Sequence, residues 1–344
     1  MKKINSHKIH EEKDASIIFM RFVATALMFV ANFAYFFEST QFSFGIRFLA
    51  SLAAPIFLFI FGYCAYHLFL TNKFDYRFLL KRLFQFASCA IFLDLFYWEI
   101  YPFQNGDILY TYMLSTLLLY FLLRSATVIQ FLTLVFFIFT SLFSYKYFSY
   151  EFEINYLVLH GYYPSVGFLV NMALNNTFFT GWFPFFVWGI FPIVGFFVAR
   201  SRSYIVEHAK VRWAIVSFVI LSLCVSFNQY LSIKFAQARR KSNIELFYPC
   251  DWNSVLLYLC IVYLLLEVFG RFTFNKKYLR LFEIKHGLLI YSIHFFVLKA
   301  LYQGVGQYLK SEILIAAVAI FAFIMTHFLL IFSVNFSKRD FYKS

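Results

Sequence analysis

Charge is what this sequence lacks most. Charged residues make up 14% of its 344 positions, against the ~25% of a water-soluble domain. That scarcity excludes an ordinary soluble globule, whose surface has to be polar. Only 6 prolines and 12 glycines are present, too few for long linkers. The five cysteines form no C-x-x-C pair and no Cys/His spacing suited to zinc. Four of them, Cys64, Cys89, Cys224 and Cys260, fall in apolar stretches, and only Cys250 lies in a polar one. No P-loop, no dinucleotide-binding glycine pattern and no G-x-S-x-G elbow occurs.

What is present is apolar surface in excess. Hydrophobic residues make up 62% of the chain and aromatics 24%, with 53 Phe and 25 Tyr, and mean hydropathy is +0.71. A globule of this length has too little interior for so many large apolar side chains, whereas a bilayer supplies the missing apolar solvent. Ten stretches approach or exceed the ~20 residues that cross a bilayer as helix: 16–37, 44–70, 79–100, 107–124, 126–147, 180–199, 212–231, 253–270, 286–303 and 312–333. The expected fold is therefore all-α, a polytopic transmembrane helix bundle of about ten spans. The first apolar stretch is long and lacks an A-x-A cleavage site, so it is expected to stay as a helix.

Basic residues orient the chain. With the N-terminus in the cytoplasm, the cytoplasmic segments 1–15, 71–82, the turn at 124, 200–212, 271–285 and 334–344 hold 21 of the 30 Lys and Arg. This bias predicts both termini on the cytoplasmic side. One cluster, ARRK at 238–241, falls on the opposite face. The net charge of +13 is mostly this topological signal plus attraction to anionic headgroups; with no soluble domain, it is no sign of nucleic-acid binding. The sizeable non-spanning stretches are 148–179, with the aromatic and acidic run YEFEINYLVLHGYYP, and 232–252. NNT at 175–177 matches a glycosylation acceptor, a pattern that chance produces often.

Chemistry must then come from polar residues within or at the mouths of the spans, where an ionisable group costs about 2.5–3.5 kcal/mol and usually faces the interior. The candidates are Arg21, Asn32, Arg47, His67, Asp94, Glu99, Asp107, Glu267, His286, His294 and His327. Several have a bland reading. Arg21 and Glu267 lie near span ends, where they can snorkel to the interface, and His67 and His327 suit structural hydrogen bonds. His294 lies mid-span in GLLIYSIHFFVLK, with Tyr291 one turn earlier on the same face; a functional role and a buried hydrogen bond fit it equally.

Several segments, in order, resemble the heparan-α-glucosaminide N-acetyltransferase family. RFVATALMFVAN resembles its opening helix, with Asn32 where the related acyltransferase 3 family has a histidine. RFLASLAAPIFLFIFGYCAYHL resembles its second helix, LLKRLFQFASCAIFLDLFYW its third and GDILYTYMLSTLLLYFLLR the next. GWFPFFVWGIFPIVGFFVAR is similar to a Phe-Pro…Trp…Gly helix, with Val187 where a second proline is common. FYPCDWNSVLLYL keeps Pro249 and Ser254 of a Pro-Pro-Ser segment, and FEIKHGLLIYSIHFFVL resembles a Leu-x-x-Tyr-x-x-His helix. A pilin-acetylase family shares the second helix and the basic start of the third.

The resemblance implies a single membrane acyltransferase-like domain over 16–333 with short cytoplasmic tails at 1–15 and 334–344, in the cytoplasmic membrane of a bacterial cell. It implies transfer of an acetyl group from cytosolic acetyl-CoA, with no metal, to a sugar amine or hydroxyl on the outer face. His294 is then the base, Asn32 the oxyanion donor and Asp94 a further polar residue of the catalytic track. Arg21, Lys81, Arg82, Arg200, Arg202 and His286 would neutralise CoA phosphates, and Glu38, Arg47, Trp98, Glu99 and Trp182 would meet the acceptor. Trp98, Trp182, Tyr162 and Tyr163 also suit an interfacial aromatic belt. The expected partners are the bilayer, a carbohydrate or glycoconjugate acceptor and no nucleic acid, with a homodimer left open.

The family's histidine in the loop after the first span is missing from ESTQFSFGI. His294 or His160 replaces it, the acyl group passes directly from CoA, or the chain is inactive. The rival class is a transporter or envelope scaffold, with Arg21 and Arg47 binding an anion. Pro55 with Gly62 and Pro184 with Pro192 are the Gly/Pro breaks such a fold uses, although no repeat of flanking sequence accompanies them.

Overall fold

The computed structural model describes residues 6–37, 43–147, 165–238, 252–271, 282–284 and 287–341. These residues are helical, without a strand among them. The α-helices are α1 (Ser6–Ala34), α2 (Phe44–Ser51), α3 (Ala53–Leu70), α4 (Tyr76–Leu93), α5 (Ile108–Leu122), α6 (Thr127–Tyr147), α7 (Val166–Asn175), α8 (Phe185–Trp188), α9 (Ile190–Glu207), α10 (Ala209–Ala238), α11 (Trp252–Phe269), α12 (Gly287–Val305) and α13 (Glu312–Phe341). Helices cover all ten apolar stretches of the sequence, and α7 adds one inside 148–179 that hydropathy did not single out. Six segments are long and apolar enough to cross a membrane: Ala15–Ala34, Gly45–Leu70, Phe185–Glu207, Ala209–Phe227, Gly287–Tyr308 and Glu312–Leu330. Ile108–Leu122, Thr127–Leu142 and Ser254–Phe269 are apolar but shorter. These helices fit an integral multi-pass membrane protein.

Internal contacts divide the chain into two units. The first comprises Met1–Ile56, Lys234–Tyr248 and Leu265–Ser344, and the second Phe57–Ile233 and Pro249–Leu264. In the first unit α1 packs against α2, α12 and α13, and α12 packs on α13. Aromatic edges fill the seams: Phe22 meets Phe323 at 4.9 Å and Phe282 at 5.0 Å, and Phe29 meets Phe323 at 5.5 Å. Such edge-to-face pairs add about 0.5–1.5 kcal/mol each beyond area burial.

The second unit is built on close helix approach. A Cβ at Gly62 of α3 would overlap the Pro192 carbonyl of α9, and one at Gly195 would overlap the Phe59 carbonyl. Without side chains at these two positions the backbones of α3 and α9 touch, which is how small residues serve membrane helix pairs. Pro184 and Gly189 break the path into α9, giving the four-residue α8 before it. The Thr140 hydroxyl of α6 donates to the Phe186 carbonyl at 3.0 Å. A side chain thus satisfies a carbonyl in the broken stretch, as apolar surroundings require.

Two local departures from straight helix follow from sequence. The stretch 44–70 breaks at Leu52, because Pro55 has no N–H to bond the Ser51 carbonyl; proline is tolerated there only in the first turn of a new helix, α3. The stretch 79–100 ends in a π-turn at Asp94–Trp98, closed by Glu99 in the left-handed region at φ +54. One extra residue per turn re-aims the residues that follow.

Candidate functional site

Asn32 of α1 and His294 of α12 are 262 residues apart in sequence, and the first unit places Asn32 Nδ2 3.0 Å from His294 Nε2. Asn32 Nδ2 also donates to the Met28 carbonyl at 3.1 Å. A carbonyl only accepts, so the side-chain atom facing Met28 is the amide nitrogen. On the other side of the ring, His294 Nδ1 donates to the Tyr291 carbonyl. Together these contacts fix the imidazole as neutral, protonated on Nδ1, with its Nε2 lone pair aimed at Asn32.

His294 is 0% exposed. Phe295 lies 4.0 Å from its ring, Tyr291 5.3 Å and Phe29 5.4 Å. The imidazole is therefore enclosed, with both ring nitrogens satisfied, while Asn32 is half-buried. Eleven residues back along α1, about 16 Å at 1.5 Å per residue, Arg21 is exposed, its Nη1 3.4 Å from the Ile284 carbonyl. Arg21 thus lies at the surface of the first unit. His327 is buried against Phe22 and Phe323, at 5.6 and 5.8 Å. Glu267 departs from expectation: it is 3% exposed and buried rather than snorkelling. Arg47 of α2 is 7% exposed and in electrostatic reach of Glu312, whose carboxylate accepts the Ser43 N–H. Glu312 therefore serves both the amino end of α2 and the arginine within it.

In the second unit Asp94 is also 0% exposed and fully engaged. It accepts from the Phe103 N–H at 3.0 Å, from Asn105 Nδ2 at 2.9 Å and from the Tyr110 hydroxyl. Asn105 Oδ1 accepts the Asp107 N–H, and Asp107 caps α5 by accepting the Leu109 N–H. Backbone bonds from Trp182 to Asn105 and from Phe183 to Gly106, at 2.9 and 3.0 Å, dock segment 181–183 on this loop. Gly106 has φ +62, and a Cβ there would stand 2.7 Å from the Asn176 carbonyl. Asp94 thus anchors this loop through three accepted hydrogen bonds, two on Oδ2 and one on Oδ1.

Trp98 and Trp182 come together edge to face at 4.8 Å, both half-buried, while Glu99 is exposed. Gln104 is a residue that sequence reading missed. It is 1% exposed, and neither its Oε1 nor its Nε2 has a hydrogen-bond partner. The available signal was the polar run QNGD at 104–107, which marks a turn but cannot show that its side chains are buried.

The basic candidates of this unit bond to different neighbours. Lys81 is exposed, Arg82 lies over the Phe78 ring and donates to Gln85 Oε1, and Arg200 donates to Gln130 and Thr127. Arg202 is 6% exposed, with Tyr63, Tyr263 and Arg212 as electrostatic neighbours. Glu38, His160, Tyr162, Tyr163 and His286 lie outside the described residues. Among the described residues no group of three His, Cys, Asp or Glu is placed to hold a metal ion. No family model, no curated protein and no solved structure matches the chain.

Proposed function

We propose that the chain is an integral membrane acyltransferase that passes an acetyl group from acyl-CoA to an amine or hydroxyl of a sugar-like acceptor on the outer face. The observation that carries the reading is the Asn32–His294 hydrogen bond, which joins the two residues that the family resemblance assigns to oxyanion donor and base. The bond couples their roles. A thioester carbonyl oxygen that accepts the Asn32 N–H takes it from His294, and the Nε2 lone pair is released in the same event. The acceptor N–H or O–H then attacks the carbonyl carbon and its proton passes to Nε2. The new C–N or C–O bond forms as the C–S bond breaks, and the proton is returned to the leaving thiolate. Arg21, exposed about three turns before Asn32 on α1, is the residue this reading assigns to the donor phosphates. Asp94, bonded to Phe103, Asn105 and Tyr110, is given a loop-anchoring role in this reading and no proton-transfer step.

A second reading is favoured by the complete burial of His294 and the pairing of both its ring nitrogens. In it the pair is only a helix clamp in a non-catalytic relative or a transporter. Acetyl-CoA binding to the purified protein, by calorimetry, separates the two. The first reading expects saturable binding that weakens in Arg21→Ala, and CoA release on adding glucosamine that falls about 10²–10⁴-fold in His294→Ala, the range for loss of a general base. A folded wild-type protein that binds no acetyl-CoA would leave the clamp reading standing and withdraw the enzyme.

A further inference from the structure

One arginine of the first unit is enclosed yet bonded to nothing. Arg47 is the fourth residue of α2, its backbone N–H bonded to the Ser43 carbonyl at 3.2 Å. Its side chain is 7% exposed, and its Nε is shut away from solvent without a partner. Among the described residues the guanidinium donates no hydrogen bond and makes no ion pair. A guanidinium carries five N–H donors and keeps its proton. Arginines in membrane segments normally pair with carboxylates or backbone carbonyls, as Arg124 does with the Tyr120 and Phe74 carbonyls. An enclosed, unbonded guanidinium is costly, and a bound anion would offset that cost.

The surroundings of Arg47 are cationic on balance. Ser43 precedes α2, and Glu312 lies in the first turn of α13. The Glu312 carboxylate accepts the Ser43 N–H, which brings the amino ends of the two helices together. Arg47 is within electrostatic reach of that carboxylate. One carboxylate, already holding a backbone N–H, is set against a full cation and two helix ends worth about half a positive charge each. The excess of about one positive charge suits one negative charge and not two. Glu312 opens the membrane-length segment Glu312–Leu330, and Arg47 is third in Gly45–Leu70. Two such segments starting together put the cluster at a membrane boundary, within reach of both water and lipid headgroups.

We infer that Arg47 anchors a binding site for a singly charged oxyanion, the carboxylate or phosphodiester group of a ligand at the membrane boundary. Both groups present two oxygens to the guanidinium fork, and bidentate pairing fixes orientation as well as charge. Glu312 has two roles in the site. It holds the amino end of α2 through Ser43, and it repels a second negative charge on the ligand. The site does not depend on acyl transfer.

The test uses the full chain in an uncharged detergent, read as thermal midpoint. Glucuronate against glucose at equal ionic strength probes a soluble carboxylate. Phosphatidylglycerol against diacylglycerol of identical chains probes a lipid phosphodiester. At least one anionic probe should raise the wild-type midpoint over its neutral counterpart, by about 2–4 °C at tenfold excess over its dissociation constant. Which probe does so identifies the source. In Arg47→Met that rise should vanish while the unliganded midpoint holds or climbs, because an unbonded cation has left an enclosed site. A merely structural arginine would instead lower the unliganded midpoint on removal. Glu312→Gln keeps an oxygen for the Ser43 N–H and removes a negative charge. It should tighten anion binding about 3- to 10-fold and admit a dianion such as phenyl phosphate. No rise with either anion overturns the inference, as does a rise retained in folded Arg47→Met. If Arg47→Met does not fold, Glu312→Gln decides: anion binding unchanged or weakened there overturns the site.

Discussion

Removing Asn32 from the Asn32–His294 bond is expected to cost more than the bond itself is worth. Hydrogen bonds between membrane helices average about 0.6 kcal/mol and reach about 1.7. His294, however, is 0% exposed, so Asn32→Leu leaves Nε2 without a donor in an enclosed site, and an orphaned buried polar atom costs about 1–3 kcal/mol. His294→Leu leaves Asn32 still bonded to the Met28 carbonyl and removes the imidazole that had to be desolvated, so its cost should be smaller, about 0.5–1.5 kcal/mol. The double variant Asn32→Leu/His294→Leu places two apolar side chains at the α1–α12 seam and orphans nothing. It should be no less stable than Asn32→Leu alone, giving a coupling energy at least as large as the His294→Leu cost, about 0.5–1.5 kcal/mol. The assay is reversible unfolding in bicelles for the four members of the cycle. Single-variant costs that add to within about 0.3–0.5 kcal/mol, the range for independent sites, would refute the pairing. They would also refute the proposed coupling of oxyanion donor and base, since that mechanism requires the two side chains to touch.

Three further outcomes follow from the second unit. Gly195→Leu should separate α3 from α9 and lower the thermal midpoint in detergent severely, whereas Gly167→Leu, where a Cβ meets nothing within 4 Å, should leave it nearly unchanged; equal midpoints would remove the close approach. Asp94→Asn turns one acceptor oxygen into a donor facing the donors Phe103 N–H, Asn105 and Tyr110, so it should destabilise by about 2–4 kcal/mol and by more than Tyr110→Phe, which removes one hydroxyl. A Tyr110→Phe variant as damaged as Asp94→Asn would show that the hydroxyl, not the carboxylate, organises the loop. Gly106→Ala, at φ +62 and with the Asn176 carbonyl 2.7 Å from the new methyl, should cost at least about 1–3 kcal/mol and loosen segment 181–183, seen as faster amide exchange at Trp182 and Phe183.

The amino-acid sequence by itself determined the solvent and the elements. Apolar runs near 20 residues with little charge leave helix as the spanning structure, because backbone polar groups in hydrocarbon must bond within their own segment. For that reason the apolar helices were legible in the sequence, though of its ten stretches six are matched by a segment long and apolar enough to cross a membrane among the described residues. The stretch 44–70 was read as one span, although Pro55 carries the cause of the break at Leu52, since its missing N–H is a property of the residue and needs no partner. His294 and Asn32 stood out individually because a polar group within an apolar run is costly wherever it sits.

Tertiary structure alone decided which of these polar groups meet. No period or propensity links position 32 to position 294; their contact depends on how α1 and α12 are rotated about their own axes, and that is set by the Phe22, Phe29 and Phe323 packing. The same holds for Asp94, which hydropathy places near the end of a span and which only the π-turn at 94–98 and the return of the chain at Phe103–Tyr110 convert into a three-bond anchor. It holds also for Glu267, whose sequence position near a helix end suits snorkelling but whose neighbours bury it. Composition fixes what a side chain costs in a membrane; packing fixes which partner offsets that cost.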